Sequence, residues 1–113
     1  MTSDGRLYYI YIVTNSRKTS LYTGITNNLI ARLYEHWQNR GQESSFAGKF
    51  YCFNLIYYET FRDVNAAIRR EKEIKKWNRD KKVALIGNLN PEWVFLNTEI
   101  CGDWPPKNVA GRF

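Results

Sequence analysis

The segment Leu21–Arg40, LYTGITNNLIARLYEHWQNR, predicts the end of a β-strand, a tight turn and then an amphipathic helix. Gly24 and the pair Asn27-Asn28 mark the turn, because glycine tolerates positive φ and an asparagine side chain can cap the first free N–H groups of a helix. The apolar residues that follow fall at helical spacing and form one stripe: Leu29, Ile30, Leu33 and Trp37. The rest of the chain is organised around this unit of strand, turn and helix.

The polar face of this helix carries two side chains that suit a phosphate. Arg32 and His36 lie four residues apart, so they are neighbours on one face, away from the centre of the apolar stripe. The turn leads Tyr22 into the same helix. A phenol, a permanent cation and an imidazole brought close together predict a phosphate site.

The residues before this unit predict a second strand. Leu7–Thr14, LYYIYIVT, is rich in β-branched and aromatic residues and is apolar on both alternating faces, which is typical of a strand covered on both sides. Asn15–Ser20 is polar and turn-like, so the two strands are expected to form a β-hairpin. The hairpin should bring Tyr11 near Tyr22.

A third strand completes the predicted sheet. Gln42–Lys49, QESSFAGK, shows no periodicity and predicts a loop. Phe50–Thr60, FYCFNLIYYET, is again rich in β-forming residues and is expected to pair with the hairpin. The predicted fold class is α+β, with a small three-stranded, mostly antiparallel sheet flanked by helices.

Two further helices are predicted after the third strand. Asp63 is expected to cap a helix that runs to about Trp77. Asp80–Ile86 predicts a short helix ended by Gly87. The 113 residues are enough for one domain, which we assign to residues 1–96, and residues 97–113 are expected to form an irregular C-terminal tail.

Composition restricts the classes of protein to consider. The net charge of +6 favours a polyanionic partner. An excess of basic residues alone is equally compatible with a protein that binds no charged partner. Two cysteines and one histidine are too few for a structural zinc site. The sequence shows neither a signal peptide nor a segment long enough to span a bilayer, so a cytoplasmic protein without a membrane partner is expected.

The positive charge is concentrated in one helical stretch. Arg62–Lys82 holds nine Lys or Arg residues against four Asp or Glu residues. One interpretation is a solvated helix face with ion pairs such as Glu71 with Lys75. The other is a surface that binds a phosphate backbone, in the manner of a nucleic-acid-binding protein. The candidates for that surface are Arg69, Lys72, Lys76 and Lys82.

Glu71 is unusual because it falls within the apolar stripe of its predicted helix. That stripe consists of Val64, Ala67, Ile68, Ile74 and Trp77. Glu71 could lie at the edge of the stripe and pair with a neighbouring Lys or Arg, as most helical glutamates do. Alternatively, it could point into a cleft and bind a cation, because a partly buried carboxylate needs a charge partner to stay ionised.

Taken in order, these features resemble the GIY-YIG nuclease superfamily. The resemblance rests on YIY at residues 9–11, YTG at residues 22–24, and the later Arg32, His36 and Glu71. The strings LYTGITNNLIARLYEH, AIRREKEIKKW and NPEW look like the small stand-alone bacterial homologues of the nuclease domain of the excision-repair incision subunit. The resemblance covers roughly residues 7 to 96, and its strength comes from the ordered set rather than from any one tripeptide.

The motifs depart from the family pattern at three places. Tyr9 stands in place of the leading glycine, and Thr23 replaces the isoleucine of the second motif. A lysine that some members carry just after the second motif is absent, because Ile25 and Thr26 stand there. None of the changed side chains of the two motifs is a catalytic one in the family.

The resemblance implies a catalytic site and a metal. Its members would be Tyr11, Tyr22, Arg32, His36, Glu71 and Asn90. Asn78 or Asn88 could serve instead of Asn90, since the spacing is loose. The metal ligand would be Glu71, and the ion Mg²⁺ or Mn²⁺, because both prefer oxygen ligands and complete their coordination with water and phosphate.

The predicted chemistry is phosphodiester hydrolysis. Arg32 would clamp a phosphate oxygen. A tyrosine with an ordinary pKa of about 10 is a poor base at neutral pH, so Tyr11 would need nearby positive charge or proton transfer to His36 to activate the water. Tyr22 would position the water or the phosphate, and the two tyrosines could also exchange these roles.

The leading functional hypothesis is a metal-dependent endonuclease that cleaves DNA, acts on DNA structures with weak sequence preference, and serves repair or recombination. One alternative is a non-catalytic nucleic-acid-binding module that keeps the fold. Another is an adaptor bound to a repair protein. Cleavage that depends on Glu71 would favour the first hypothesis over the other two.

Overall fold

The central strand of the fold is β1, which pairs antiparallel with β2 on one side and β3 on the other. This computed structural model describes residues 5–107. The elements in chain order are β1 (Tyr8–Thr14), β2 (Leu21–Thr26), α1 (Leu29–Gln38), α2 (Phe46–Lys49), β3 (Asn54–Phe61), α3 (Val64–Lys76), α4 (Arg79–Leu89) and α5 (Asn97–Cys101). The predicted α+β class with a three-stranded antiparallel sheet is confirmed.

The register of the hairpin decides which side chains share a face of the sheet. Tyr11 lies opposite Gly24, and Val13 lies opposite Tyr22. Because side chains alternate along a strand, Tyr11 and Tyr22 project from the same face. The loop between the strands is closed by Asn15, whose side-chain oxygen accepts hydrogen bonds from the N–H groups of residues 19 and 20 at 2.8 and 3.0 Å.

Helices cover both faces of the sheet, as the doubly apolar pattern of β1 predicts. On one face, the helices α3 and α4 bury a core of Ile10, Ile12, Ile56, Tyr57, Ala67, Ile74 and Ile86. On the other face, α1 and α2 bury a core of Tyr11, Val13, Leu29, Leu33, Ala47, Cys52 and Leu55. Tyr11 therefore faces α1, whereas α3 packs on the opposite side of the sheet.

The predicted helix starts are confirmed by their caps. The side chain of Asn28 accepts a hydrogen bond from the N–H of Ala31 at 3.0 Å, and that of Asp63 accepts from the N–H of Ala66 at 3.0 Å. Each bond satisfies one of the N–H groups that the first turn of a helix leaves free. The cap of Asn28 fixes the direction of α1 and so of its polar face.

Four predicted boundaries are wrong. Gly24 does not mark the turn, because β2 continues through it to Thr26 and its φ is not positive. The segment Gln42–Lys49 is not all loop, because residues 46–49 form the short helix α2, capped by Ser45. The third strand begins at Asn54 rather than Phe50, since residues 50–53 lie in the turn after α2. Helix α4 does not end at Gly87 but continues to residue 89, so this glycine is tolerated in a helix interior.

The prediction of an irregular tail is wrong for residues 97–101. They form α5, and Asn97 is buried beside β3. Its side chain accepts from the N–H of Leu55 at 2.7 Å and donates to the carbonyl of Phe53 at 2.9 Å, so it replaces a missing strand partner. Farther on, Trp104 stacks on Tyr34 of α1. Residues 108–113 of the predicted tail lie outside the described residues.

Candidate active site

Tyr11 lies at the centre of a polar cluster and is 0% exposed. Its hydroxyl oxygen is 2.8 Å from Nε2 of His36 and 3.4 Å from Nη1 of Arg32. A guanidinium can only donate hydrogen bonds, so the phenol oxygen accepts from Arg32. The hydrogen bond between the phenol and Nε2 of His36 takes either direction, according to which ring nitrogen carries the imidazole proton.

Gly24 provides the space for the ring of Tyr11. An ideal Cβ at this position would lie 2.5 Å from Cζ of Tyr11 and closer still to the hydroxyl oxygen. Real Cβ atoms do not approach other atoms so closely. The last residue of the second motif is therefore a glycine because the phenol of the first motif lies directly against it.

Tyr22 is the phenol that faces solvent. Its ring centroid is 6.5 Å from that of Tyr11 and 5.6 Å from that of His36, which confirms that the hairpin brings the two tyrosines together. An open cleft of about 190 Å³ is lined by Tyr22, Arg32, Glu35, His36, Asn39, Ser45 and Ala47. Tyr11 does not line this cleft, so a substrate in it would contact Tyr22, Arg32 and His36.

Arg32 is held by three contacts and is still partly exposed. Its Nε pairs with Oε1 of Glu35 at 3.0 Å, and its Nη1 reaches the carbonyl of Ile25 as well as Tyr11. The side chain is 36% exposed. Within residues 5–107 its Nη2 has no hydrogen-bond partner, so it has donor capacity left for an anion in the cleft.

The buried tyrosine and histidine are both neutral at physiological pH. Burial raises the pKa of Tyr11 to about 12, although the hydrogen bond and charge of Arg32 act in the opposite direction. Burial also lowers the pKa of His36 to about 4, with the positive charge of Arg32 acting in the same direction. Transfer of the phenol proton to His36 is therefore unfavourable.

His36 should make the stability of the protein depend on pH. Its pKa is lower in the folded protein than in the unfolded chain, so the unfolded chain binds more protons between about pH 6.5 and 4. The contribution of His36 to the free energy of unfolding is complete above about pH 6.5 and is lost as the pH falls toward 4. We expect wild type to lose about 2 kcal/mol more than His36→Gln between pH 7 and 4.5 in urea unfolding. An equal loss in both proteins would contradict the assigned environment of His36.

Glu71 lies on α3 and pairs with a lysine of the same helix. Its Oε2 is 2.8 Å from Nζ of Lys75, as the ion-pair interpretation predicts, but its side chain is only 15% exposed. The ammonium of Lys75 in turn lies 5.6 Å from the ring centroid of Tyr22. The structure thus links Glu71 to the tyrosine cluster through Lys75, and no direct bond joins Glu71 to Tyr11, Tyr22 or Arg32 in the described part of the chain.

Glu71 suits a hard metal ion as a single protein ligand. No group of three or more His, Cys, Asp or Glu residues in the described ranges could hold a metal. The second carboxylate oxygen, Oε1, has no partner among residues 5–107. A half-enclosed carboxylate with one free oxygen fits Mg²⁺ or Mn²⁺, which keep several waters and take phosphate oxygens as further ligands.

The three asparagines proposed from the sequence as catalytic lie outside the cluster around Tyr11. The amide of Asn90 is buried and donates to the carbonyls of Ile56 and Val94, both at 2.9 Å. Asn78 caps α4 through the N–H of Lys81, and Asn88 is exposed. None of the three bonds to the cluster around Tyr11 in the portion described. The cleft does contain an asparagine that we did not predict, Asn39, which lies three residues beyond His36 at the end of α1.

The predicted nucleic-acid contacts remain accessible. Arg69, Lys72 and Lys76 are exposed on α3, and Lys82 is half-buried on α4. Lys82 lines a second cavity of about 220 Å³ together with Arg79, near the start of β2. Their use by a polyanion remains a prediction.

Besides Asn39, sequence reasoning missed two roles in this region. Glu35 orients Arg32, and Gly24 makes room for Tyr11. The spacing of three between residues 32 and 35 could have indicated the first, since such pairs meet on a helix. The contact of Gly24 required the strand register, which the sequence alone does not give.

Comparisons with known proteins identify the family and the fold of this chain. Residues 7–84 match the family model described as the GIY-YIG catalytic domain. UPF0213 proteins of Staphylococcus haemolyticus and Staphylococcus aureus are 38% identical over 79 residues, which is 70% of this chain and 93% of theirs. The solution NMR structure of a UPF0213 protein from Bacillus halodurans superposes with a TM-score of 0.51 at 25% identity, covering 84% of this chain and 98% of that one. No helix within residues 5–107 is long and apolar enough to cross a membrane.

Proposed function

This chain belongs to the GIY-YIG family, a nuclease superfamily, and from that premise we propose that it is a metal-dependent endonuclease that hydrolyses phosphodiester bonds in DNA. The observation that carries the proposal is the arrangement of Tyr11, His36 and Arg32 beneath an open cleft. Arg32 and His36 come from α1 and Tyr11 from the sheet, so the fold itself assembles the three groups. A net charge of +6 suits a polyanionic substrate.

Arg32 is proposed to hold the scissile phosphate. Its Nη1 and Nε are fixed by Tyr11 and Glu35, and the residue lines the cleft. A guanidinium that is already oriented loses little entropy when it binds an oxyanion. Arg32 would therefore stabilise the negative charge that develops on the phosphate during hydrolysis.

The two tyrosines are proposed to act at different distances from the phosphate. Tyr22 faces the cleft, so its hydroxyl is the one that contacts the attacking water or the phosphate. Tyr11 is fully buried and acts through its hydrogen bonds to His36 and Arg32. This assignment follows the alternative in which the tyrosines exchange roles: Tyr22 acts on the water, and Tyr11 positions Arg32 and His36 through its hydrogen bonds.

A divalent ion, Mg²⁺ or Mn²⁺, would be held by Glu71. When bound, it would supply a Lewis acid that polarises phosphate oxygens and lowers the pKa of bound water. The positive charge would also favour the ionised form of a nearby phenol. Because Lys75 occupies one carboxylate oxygen, the ion would bind through the free Oε1 or replace the ammonium.

The proposed substrate is branched, damaged or single-stranded DNA, in repair or recombination. Base-specific reading usually requires an element that enters a groove. In the described ranges, the exposed cations Arg69, Lys72 and Lys76 lie on a helix packed against the sheet and suit phosphate contacts. Such contacts position DNA without reading its sequence, so weak sequence preference is expected.

Cleavage that requires Glu71 is the test of this proposal. Purified protein would be incubated with labelled flaps, forks and single strands in Mg²⁺ or Mn²⁺, alongside Glu71→Gln. We expect the variant to be at least about a hundredfold slower, because a neutral amide is a poor ligand for a hard cation. Glu73→Gln is the matched control, because Glu73 lies on the same helix with a side chain that is 54% exposed.

Two results would each overturn one part of the proposal. Equal cleavage by wild type and Glu71→Gln would exclude Glu71 as the metal ligand; salt-dependent binding of DNA that stays intact with every metal and substrate structure would exclude the nuclease. The second result would identify a nucleic-acid-binding module that retains the fold. Capture of a repair protein without any DNA binding would identify an adaptor instead.

A further inference from the structure

A third cavity, distinct from the cleft and from the cavity lined by Arg79 and Lys82, lies on the same face of the sheet as Tyr11. It has a volume of about 340 Å³ and lies between the start of α1 and the strands β1 and β3. Its aromatic walls are Tyr9 and Tyr58, whose ring centroids are 6.3 Å apart in an edge-to-face arrangement. Ile30, which is 44% exposed, forms part of its apolar lining. The cavity is large enough for one planar ring system.

The polar groups of this cavity are available to a ligand. The side chains of Asn27 and Thr60 make no hydrogen bond within residues 5–107, and neither do the hydroxyls of Tyr9 and Tyr58. Asn28 uses its side-chain oxygen to cap α1 but keeps its amide donors. Amides and hydroxyls can both donate and accept, so together they suit the polar edge of a nucleobase while the rings offer stacking surfaces.

The cavity adjoins the phosphate site. Tyr9 precedes Tyr11 by two residues on β1, which places their Cα atoms about 6.7 Å apart along the same face. Asn28 precedes Arg32 by one turn of α1, and its carbonyl accepts the N–H of Arg32 at 3.0 Å. A nucleotide whose phosphate meets Arg32 would therefore have a neighbouring base within reach of Tyr9 and Asn28.

We propose that this cavity binds one unpaired nucleobase next to the phosphate held by Arg32. The inference rests on the proposed function, because it requires nucleic acid at the cleft. The base stacks on Tyr9 or Tyr58, and Asn27 or Asn28 bonds to its edge. Tyr9, which forms one aromatic wall of the cavity, stands where the family motif has glycine. With glycine at this position the cavity would lack that wall. Adaptable amides accept more than one base, so the site selects unpaired structure rather than sequence.

The test separates base binding from phosphate binding. Protein labelled with ¹⁵N and ¹³C would be titrated, without divalent metal, with a thymidine pentanucleotide and with a pentanucleotide of abasic residues. We expect the Asn28 amide and Tyr9 ring signals to shift with the first oligonucleotide only, and the Arg32 Nε signal to shift with both. Tyr9→Leu should weaken binding of the thymidine oligonucleotide about tenfold, and Tyr51→Leu, a change of an exposed tyrosine outside the cavity, should not.

Each outcome decides the inference independently of hydrolysis. Equal shifts of Asn28 and Tyr9 with both oligonucleotides, or none with either, would overturn it even if the protein cleaves DNA. Base-dependent shifts in a protein that never cleaves would support the cavity and count against the nuclease. No binding of either oligonucleotide would overturn both proposals. Spectra of the free variants would show whether Tyr9→Leu keeps the fold, and Tyr58→Leu provides a second change in the same cavity.

Discussion

Tyr11→Phe is expected to lower the rate of DNA cleavage about a thousandfold while leaving the fold intact. The change removes one oxygen atom, and with it a hydrogen-bond partner of both Arg32 and His36. Both side chains would lose their fixed orientation at the floor of the cleft, although the phenyl ring still fills the same buried space. We expect the free energy of unfolding to fall by only about 1–2 kcal/mol, since two hydrogen bonds are lost.

Single-turnover cleavage and urea unfolding of the same preparations would measure these two effects. Tyr8→Phe is the matched control, because Tyr8 lies on the same strand but packs against the opposite core. We expect that control to cleave at the wild-type rate. If Tyr11→Phe also cleaved at that rate, the buried phenol would be a packing residue with no part in positioning Arg32 and His36.

Much of the fold and part of the site follow from local patterns. The spacing of Arg32 and His36 places them on one helix face. The asparagine pair before the helix predicts the cap that Asn28 forms. The even spacing of side chains within each strand sets the faces of Tyr11 and Tyr22 once the hairpin register is known. These signals are short-range, so a single sequence expresses them.

The features that were missed depend on contacts between distant segments. Asn97 is a polar residue in a segment rich in Gly and Pro, yet its amide bonds to the edge of β3 and orders the start of the tail. Asn90 similarly ties the turn after α4 to β3. An asparagine that satisfies remote backbone groups carries no periodic signal, so sequence reasoning could not separate such residues from a catalytic one.

Glu71 shows how a correct pattern can support two interpretations. Its place in the apolar stripe of α3 predicts reduced exposure, which the structure shows, and its spacing from Lys75 predicts an ion pair, which the structure also shows. The pair gives the half-buried carboxylate a partner of opposite charge. An ammonium that neutralises Glu71 is compatible with metal binding, because an ion of higher charge can take its place.

Gly24→Ala is expected to lower both the stability and the activity of the protein. The new Cβ would lie 2.5 Å from Cζ and 2.8 Å from Cε1 of Tyr11, so the ring must move. Tyr11 is 0% exposed between the sheet and α1, which leaves the ring no free space. We expect the free energy of unfolding to fall by about 2–3 kcal/mol, as for other overpacked cores.

Cleavage by Gly24→Ala should fall at least about a hundredfold, because a displaced ring breaks the bonds to His36 and Arg32. Gly87→Ala is the control, since nothing lies within 4 Å of the added methyl group in α4 and alanine favours a helix. We expect it to retain activity and to be about 0.5–1 kcal/mol more stable.

A second change at residue 11 distinguishes the steric cause from a general effect on the strand. Adding Tyr11→Leu to Gly24→Ala removes the ring atoms that the new Cβ would meet, so the double variant should recover part of the lost stability but none of the activity. Tyr11→Phe in the same background should recover little, because Cζ and Cε1 remain. If Gly24→Ala unfolded at the same urea concentration as wild type and cleaved equally fast, the close packing of the two motifs would not be what holds the site together.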